Sequence, residues 1–90
     1  MTEEQYILGE HARWMADRRK IHEVEMLRVV RVPEQVIRVG DVREIRQSRA
    51  LEGGSGRIYL IRVVVERRGG LVTIITAYRS SKIAKYWRTT

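Results

Sequence analysis

Two runs in the second half of the chain, "RIYLIRVVVE" (57–66) and "LVTIITAY" (71–78), hold its densest apolar and β-branched content. Residues of that kind fit a pleated, half-buried surface, so both runs predict strands. Between them lies "RRGG", and Gly69-Gly70 suits the positive φ of a tight hairpin turn. With these two glycines as the loop, Arg68 faces Leu71, Val65 opposes Ile74, Val63 opposes Thr76 and Ile61 opposes Tyr78. One face then carries Tyr59, Ile61, Val63, Val65, Val72, Ile74, Thr76 and Tyr78, and it is the better core. Ile58, Leu60, Arg62, Val64, Glu66, Thr73, Ile75 and Ala77 fall on the other face. A slip of one residue reverses the assignment.

Upstream, "VREIRQSRAL" (42–51) alternates weakly and is rich in arginine, the pattern of an edge strand guarded by charge. "QVIRV" (35–39) is a short strand before a Gly40-Asp41 turn, and "EGGSG" (52–56) is a loop. Towards the amino terminus the period changes. In "GEHARWMADRRKI" (9–21), Leu8, Ala12, Met15 and Arg19 form one helical stripe, with His11, Trp14 and Arg18 beside it. A second helix covers "HEVEMLRVVRV" (22–32) with Val24, Leu27 and Val30 or Arg31 facing inward, and Pro33 stops it. The tail "SSKIAKYWR" (80–88) restarts as a short helix with Ser80 or Ser81 as its N-cap. The expected fold is a single α+β domain over 1–90. Two N-terminal helices pack on a four-stranded, mainly antiparallel sheet, and a short C-terminal helix follows.

Charge changes this picture most. The 90 residues carry a net charge of +7, and 15 of the 18 basic residues are arginine. Residues 1–45 hold eight Lys/Arg against nine Asp/Glu, whereas residues 46–90 hold ten against two. Codon bias towards arginine does not remove acids from one half, so the asymmetry points to a polyanionic partner, either nucleic acid or an acidic protein. With no cysteine there is no disulfide framework or thiolate metal site, which suits a reducing cytoplasm. The start "MTEEQYILGEH" lacks the pattern of a signal peptide, and no apolar run approaches the ~20 residues that span a bilayer.

Several short motifs resemble the domain-of-unknown-function 4258 family, which is grouped with RelE-like toxins and related small ribonucleases. His11-Ala12 matches that family's leading pair, and Arg19 and Ile21 its Arg-x-Ile helix end. Pro33 matches the proline before its first strand, and Thr76 and Tyr78 its Thr-x-Tyr strand end. Met15 stands where the family usually has arginine, and Lys20 where a glycine is common. The resemblance spans roughly residues 7 to 87. It implies a small bacterial or archaeal toxin-like protein that acts on RNA, with an acidic antitoxin as a further partner.

Cleaving RNA without metal takes a base for the 2′-hydroxyl, cations for the charge building on phosphorus, and an acid for the leaving oxygen. The candidates are His11, Arg62 and Tyr78. His11 is the best acid–base group, or else a structural histidine; His22, in the first turn of helix two, reads as a surface residue. Arg62 interrupts an apolar strand, so its guanidinium must reach solvent, a phosphate or a carboxylate such as Glu44. Tyr78 is either buried packing or a phenol that donates to a phosphate or stacks on a base. Arg43, Arg46, Arg49 and Arg57 form the expected phosphate-facing rim, to which the tail adds Arg79, Lys82 and Lys85 while Ile83 and one aromatic anchor it. No cofactor is expected, and two histidines eleven apart are a weak metal signal. RNA cleavage, non-catalytic nucleic-acid binding and protein interaction all remain open.

Overall fold

The hairpin at Gly69 is the spine of the molecule. In the computed structural model, which describes residues 3–89, it joins β4 (Ile58–Arg68) to β5 (Leu71–Ser80). Gly69 takes the positive φ of 60° that the turn demands, and Arg68 pairs with Leu71 as expected. Before this hairpin come β1 (Gln5–Leu8), α1 (Glu10–Arg18), α2 (Glu23–Arg31), β2 (Gln35–Arg38) and β3 (Arg43–Leu51); after it comes the short α3 (Ile83–Tyr86). The strands form one five-stranded sheet in the order β1-β5-β4-β3-β2.

The α+β class holds, but the strand count rises from four to five. The fifth strand is β1, which pairs parallel to β5 from Gln5↔Leu71 to Leu8↔Ile74 and makes the sheet mixed. Leu8 therefore belongs to a strand rather than to the α1 stripe. A second correction concerns β3. It lies between β2 and β4 rather than at an edge, and the edges are the four-residue β1 and β2. Being short, they leave β5 beyond Ile74 and β3 beyond Gln47 without a neighbouring strand on that side.

α1 packs over β5 and α2 over β3 and β4. Under them lie Ile61, Val63, Val65, Val72, Ile74 and Ala77 of the sheet, facing Ala12, Ala16, Ile21, Met26, Val29 and Val30. Both helices are turned relative to the stripes read from sequence. Ala12 and Ala16 point inward from α1, which lets that helix sit close to the sheet. In α2 the buried set is Met26, Val29 and Val30, while Val24 is 80% exposed. The α1 stop is a Schellman motif: Ile21 N–H donates to Ala16 O (2.8 Å) and Lys20 N–H to Asp17 O (3.1 Å). Its left-handed position is Lys20, at φ 56°. α2 ends at Arg31 before Pro33, as predicted.

Candidate nucleic-acid interface

The hairpin register holds only as far as Val65↔Ile74. Val64 then pairs with Thr76, leaving Ile75 as the extra residue of a β-bulge. Beyond it every β5 side chain changes face relative to the regular ladder. Ala77, not Thr76, opposes Val63 under the helices, and Tyr78 comes to lie opposite Arg62 on the sheet's other face. The expectation that Thr76 and Tyr78 line the core face is thus overturned, and the bulge is the reason. Arg19, at the end of α1, wraps the nearby β5 edge and donates to Ala77 O (2.8 Å) and to Thr76 Oγ1 (3.3 Å).

The second face carries a lateral polar row, one residue from each of four strands. Gln35 of β2 faces Gln47 of β3, Gln47 faces Arg62 of β4, and Arg62 faces Tyr78 of β5. Gln47 Nε2 donates to Gln35 Oε1 (2.7 Å), Arg62 Nε to Gln47 Oε1 (2.8 Å) and Arg62 Nη1 to the Tyr78 hydroxyl (2.5 Å). Sequence reasoning missed Gln35 and Gln47. The signal was available only after strand registry, because an isolated glutamine in a strand says little.

The tail lies across this row. Gln47 Nε2 also donates to Tyr86 O (3.1 Å), while Gln35 Nε2 donates to Arg88 O (2.7 Å) and Gln35 Oε1 accepts from Arg88 N–H (3.0 Å). The Arg62 guanidinium sits 4.2 Å from the Tyr86 ring centroid, Arg49 lies 4.3 Å from that of Trp87, and Lys85 Nζ 5.2 Å from that of Tyr86. Tyr78 meets Tyr86 edge-on, with centroids 6.3 Å apart. The helix starts later than predicted. Its N-cap is Lys82, Ser80 remains in β5, and the Ser80 hydroxyl accepts the Lys82 N–H (3.0 Å).

The four arginines expected to form one rim are separated by the pleat, since neighbouring strand positions face opposite ways. Arg43 and Arg49 are on the second face and exposed, with Arg49 paired to Glu34 (2.9 Å). That bond holds the Glu34 carboxyl below its ordinary range. Arg46 points the other way, beneath the helical layer, and is only 5% exposed. All five of its N–H donors are used: Nε and Nη2 on Glu44 (3.0 and 2.8 Å), Nη1 and Nη2 on Glu4 (2.8 and 2.9 Å), and Nη1 on Val30 O (2.7 Å). The Glu4 bond, and after it burial opposed by Glu44, leaves Arg46 held in its charged form, and Arg46 in turn lowers the Glu4 pKa. Arg46 is therefore a structural residue, and Glu44 is its partner rather than that of Arg62.

Arg57 and Arg79 meet elsewhere, in a cleft of ≈ 220 Å³ at the end of the β4–β5 pair, lined also by Glu52, Tyr59, Ser80 and Ser81. Arg79 stacks 5.3 Å from the Tyr59 ring centroid, and the Tyr59 hydroxyl donates to Glu25 (3.0 Å). Burial, reinforced by Glu25, raises the Tyr59 pKa. Lys82 and Lys85 are exposed on the tail.

His11 does not join Arg62 and Tyr78. It is exposed in the first turn of α1, on the helical side of the sheet, stacked on Trp14 at 6.1 Å. Trp14 is 52% exposed and also carries Arg18 at 4.8 Å. The catalytic trio read from sequence is thus divided by the thickness of the sheet. Among the described residues no group of three His, Asp or Glu is placed to hold a metal ion, and no helix is long and apolar enough to cross a membrane.

No protein-family model, curated protein or solved structure matches this chain.

Proposed function

We propose that this protein binds single-stranded RNA on the sheet face away from α1 and α2 and on the tail lying over it. One observation carries the reading. That surface brings Arg49, Arg62 and Lys85 against the rings of Tyr78, Tyr86 and Trp87, with Arg43 farther along the same sheet face and Lys82 and Arg88 in the tail. Among the described residues the carboxylates at that face are Glu66, which pairs with Arg68 at 2.9 Å, and Glu34 just before β2, which pairs with Arg49 at 2.9 Å. Cations tracking a backbone beside aromatic rings suit an unpaired strand, because every base offers a π-face while its phosphates supply the charge.

The test is binding of a labelled single-stranded RNA across a salt series. Lys82→Ala with Lys85→Ala removes two exposed phosphate contacts. The expected outcome is weaker binding, with the slope of log K against log salt reduced by about 1.4. An unchanged slope, or no binding by the parent protein at low salt, would reject the reading.

A second reading, metal-independent RNA cleavage by a toxin-like protein whose acidic antitoxin masks this face, is supported by the Arg62–Tyr78 pair. A guanidinium bonded to a phenol combines charge stabilisation with a proton donor. Incubation with RNA separates the two. Cleavage lost in Tyr78→Phe but kept in His11→Ala favours the enzyme, whereas uncut RNA on a binding protein favours the first reading.

A further inference from the structure

Arg62 and Arg46 are the two buried arginines of the sheet, 7% and 5% exposed, and they are treated in opposite ways. Arg46 has two carboxylates and a carbonyl for its five donors. Arg62 has the Gln47 amide oxygen and the Tyr78 hydroxyl, neither of them a carboxylate, and Nη2 has no hydrogen-bond partner among the described residues and reaches solvent only at the edge of the cover. No carboxylate pairs with it there. A guanidinium withdrawn from water without a counter-charge is costly, and buried charges are ordinarily paired. Two rings offset part of that cost here, Tyr86 at 4.2 Å and Tyr78 at 5.6 Å.

The cover over Arg62 is held lightly. α3 is four residues long, none of its residues is buried, and the described contacts of the tail with the second face are mainly polar or cation–ring. Gln35 and Gln47 hold its backbone through Tyr86 and Arg88. Segments with few buried apolar contacts open at small free-energy cost. Under the tail is a ready-made oxyanion environment, with free guanidinium donors, a phenol and two glutamine amides in one row.

We propose that Arg62 is the centre of an anion site for a phosphate group, closed by the Ile83–Arg88 tail and opened when phosphate takes the place of the Tyr86 ring. The guanidinium then gains the charged partner it lacks, and Tyr78 keeps its place beside it. The proposal deepens the RNA reading by assigning one backbone phosphate to this row, and it makes the tail a competitor for the strand it helps to bind. A site that is competent only when its cover is open binds more weakly by the open fraction, so loosening the cover strengthens it.

Trp87 lies in the tail, so in the full chain carrying Trp14→Phe its fluorescence reports the cover. Titration with inorganic phosphate, against chloride at matched ionic strength, is expected to change that emission saturably with phosphate alone. Tyr86→Ala should tighten phosphate binding roughly tenfold. Arg62→Met should lose the response, and Arg62→Lys, which keeps the charge without the fork, should weaken it severalfold. Equal responses to phosphate and chloride would overturn the site, as would unchanged affinity in the Arg62 variants or no gain in Tyr86→Ala. RNA binding with a silent Trp87 rejects this site and leaves the RNA reading standing; a phosphate response without RNA binding does the reverse.

Discussion

Lys20 occupies a position built for glycine. Its φ of 56° lies in the left-handed region, where a Cβ crowds the following carbonyl at a cost of about 1–2 kcal/mol. Glycine would relieve that strain while adding freedom to the unfolded chain, so Lys20→Gly should stabilise by a net ~0.5–1 kcal/mol. A thermal melt a few degrees higher is the expected outcome; a lower one would mean that the Lys20 side chain contributes more than its exposure suggests. The same scale shows why single residues misled the reading of the site. Arg46 and Arg49 are three apart and identical in type, yet one is saturated under the helices and the other is exposed beside Trp87. Alternation along the strand predicts opposite faces for them, but nothing local says that Glu4, 42 positions away, reaches Arg46.

Among the elements, the β4–β5 hairpin was the most legible, because strong alternation and Gly69-Gly70 agree. What the pattern could not show was the bulge at Ile75. "TIITAY" alternates no worse with the extra residue than without it, and the regular ladder gives an acceptable apolar face either way. The outcome matters because Tyr78 reaches Arg62 only through that shift. Deleting Ile75 tests the geometry directly. Thr76 already pairs with Val64 and Ile74 with Val65, so the deletion closes the ladder without moving Tyr78. The variant should fold, with Tyr78 and Arg62 still adjacent by cross-strand nuclear Overhauser contacts. A Tyr78 ring moved under α1 would contradict the register. β1 was illegible for another reason. Four residues between acidic positions and a helix are too few for a period to emerge, and their partner lies 66 positions along the chain.

At the scale of the whole molecule, the Arg46 cluster joins three separate parts: Glu4 before β1, Glu44 and Arg46 in β3, and Val30 O in α2. Glu4 is held below its ordinary value of 4.5, chiefly by its bond to Arg46. A carboxyl lowered on folding stabilises the fold above its unfolded pKa, and that contribution is lost as pH falls through the folded one. The urea midpoint should therefore decline as pH falls below about 4.5. Arg46→Met should flatten this Glu4-linked part of the decline and, at neutral pH, cost about 3 kcal/mol, because it leaves the buried Glu44 with only the more distant Arg67, at 3.7 Å, as a partner. A full-strength midpoint in Arg46→Met at pH 7 would show that the cluster adds nothing to stability. Composition did signal a cationic molecule. It could not say which cations are consumed in holding the molecule together, since that depends on partners distant in sequence.

The parallel pairing of β1 with β5 carries a consequence for biosynthesis. A ribosome releases residues 5–8 long before Leu71–Ile74 exist, so β1 must wait unpaired for β5, the last strand of the sheet to be made. Until then α1 has no β5 to cover, and its small inward face of Ala12 and Ala16 has only its contacts with α2. Co-translational folding of the half-made protein is thereby confined to α2 and the β2–β4 segment, and the amino-terminal quarter is the part that a chaperone would find exposed.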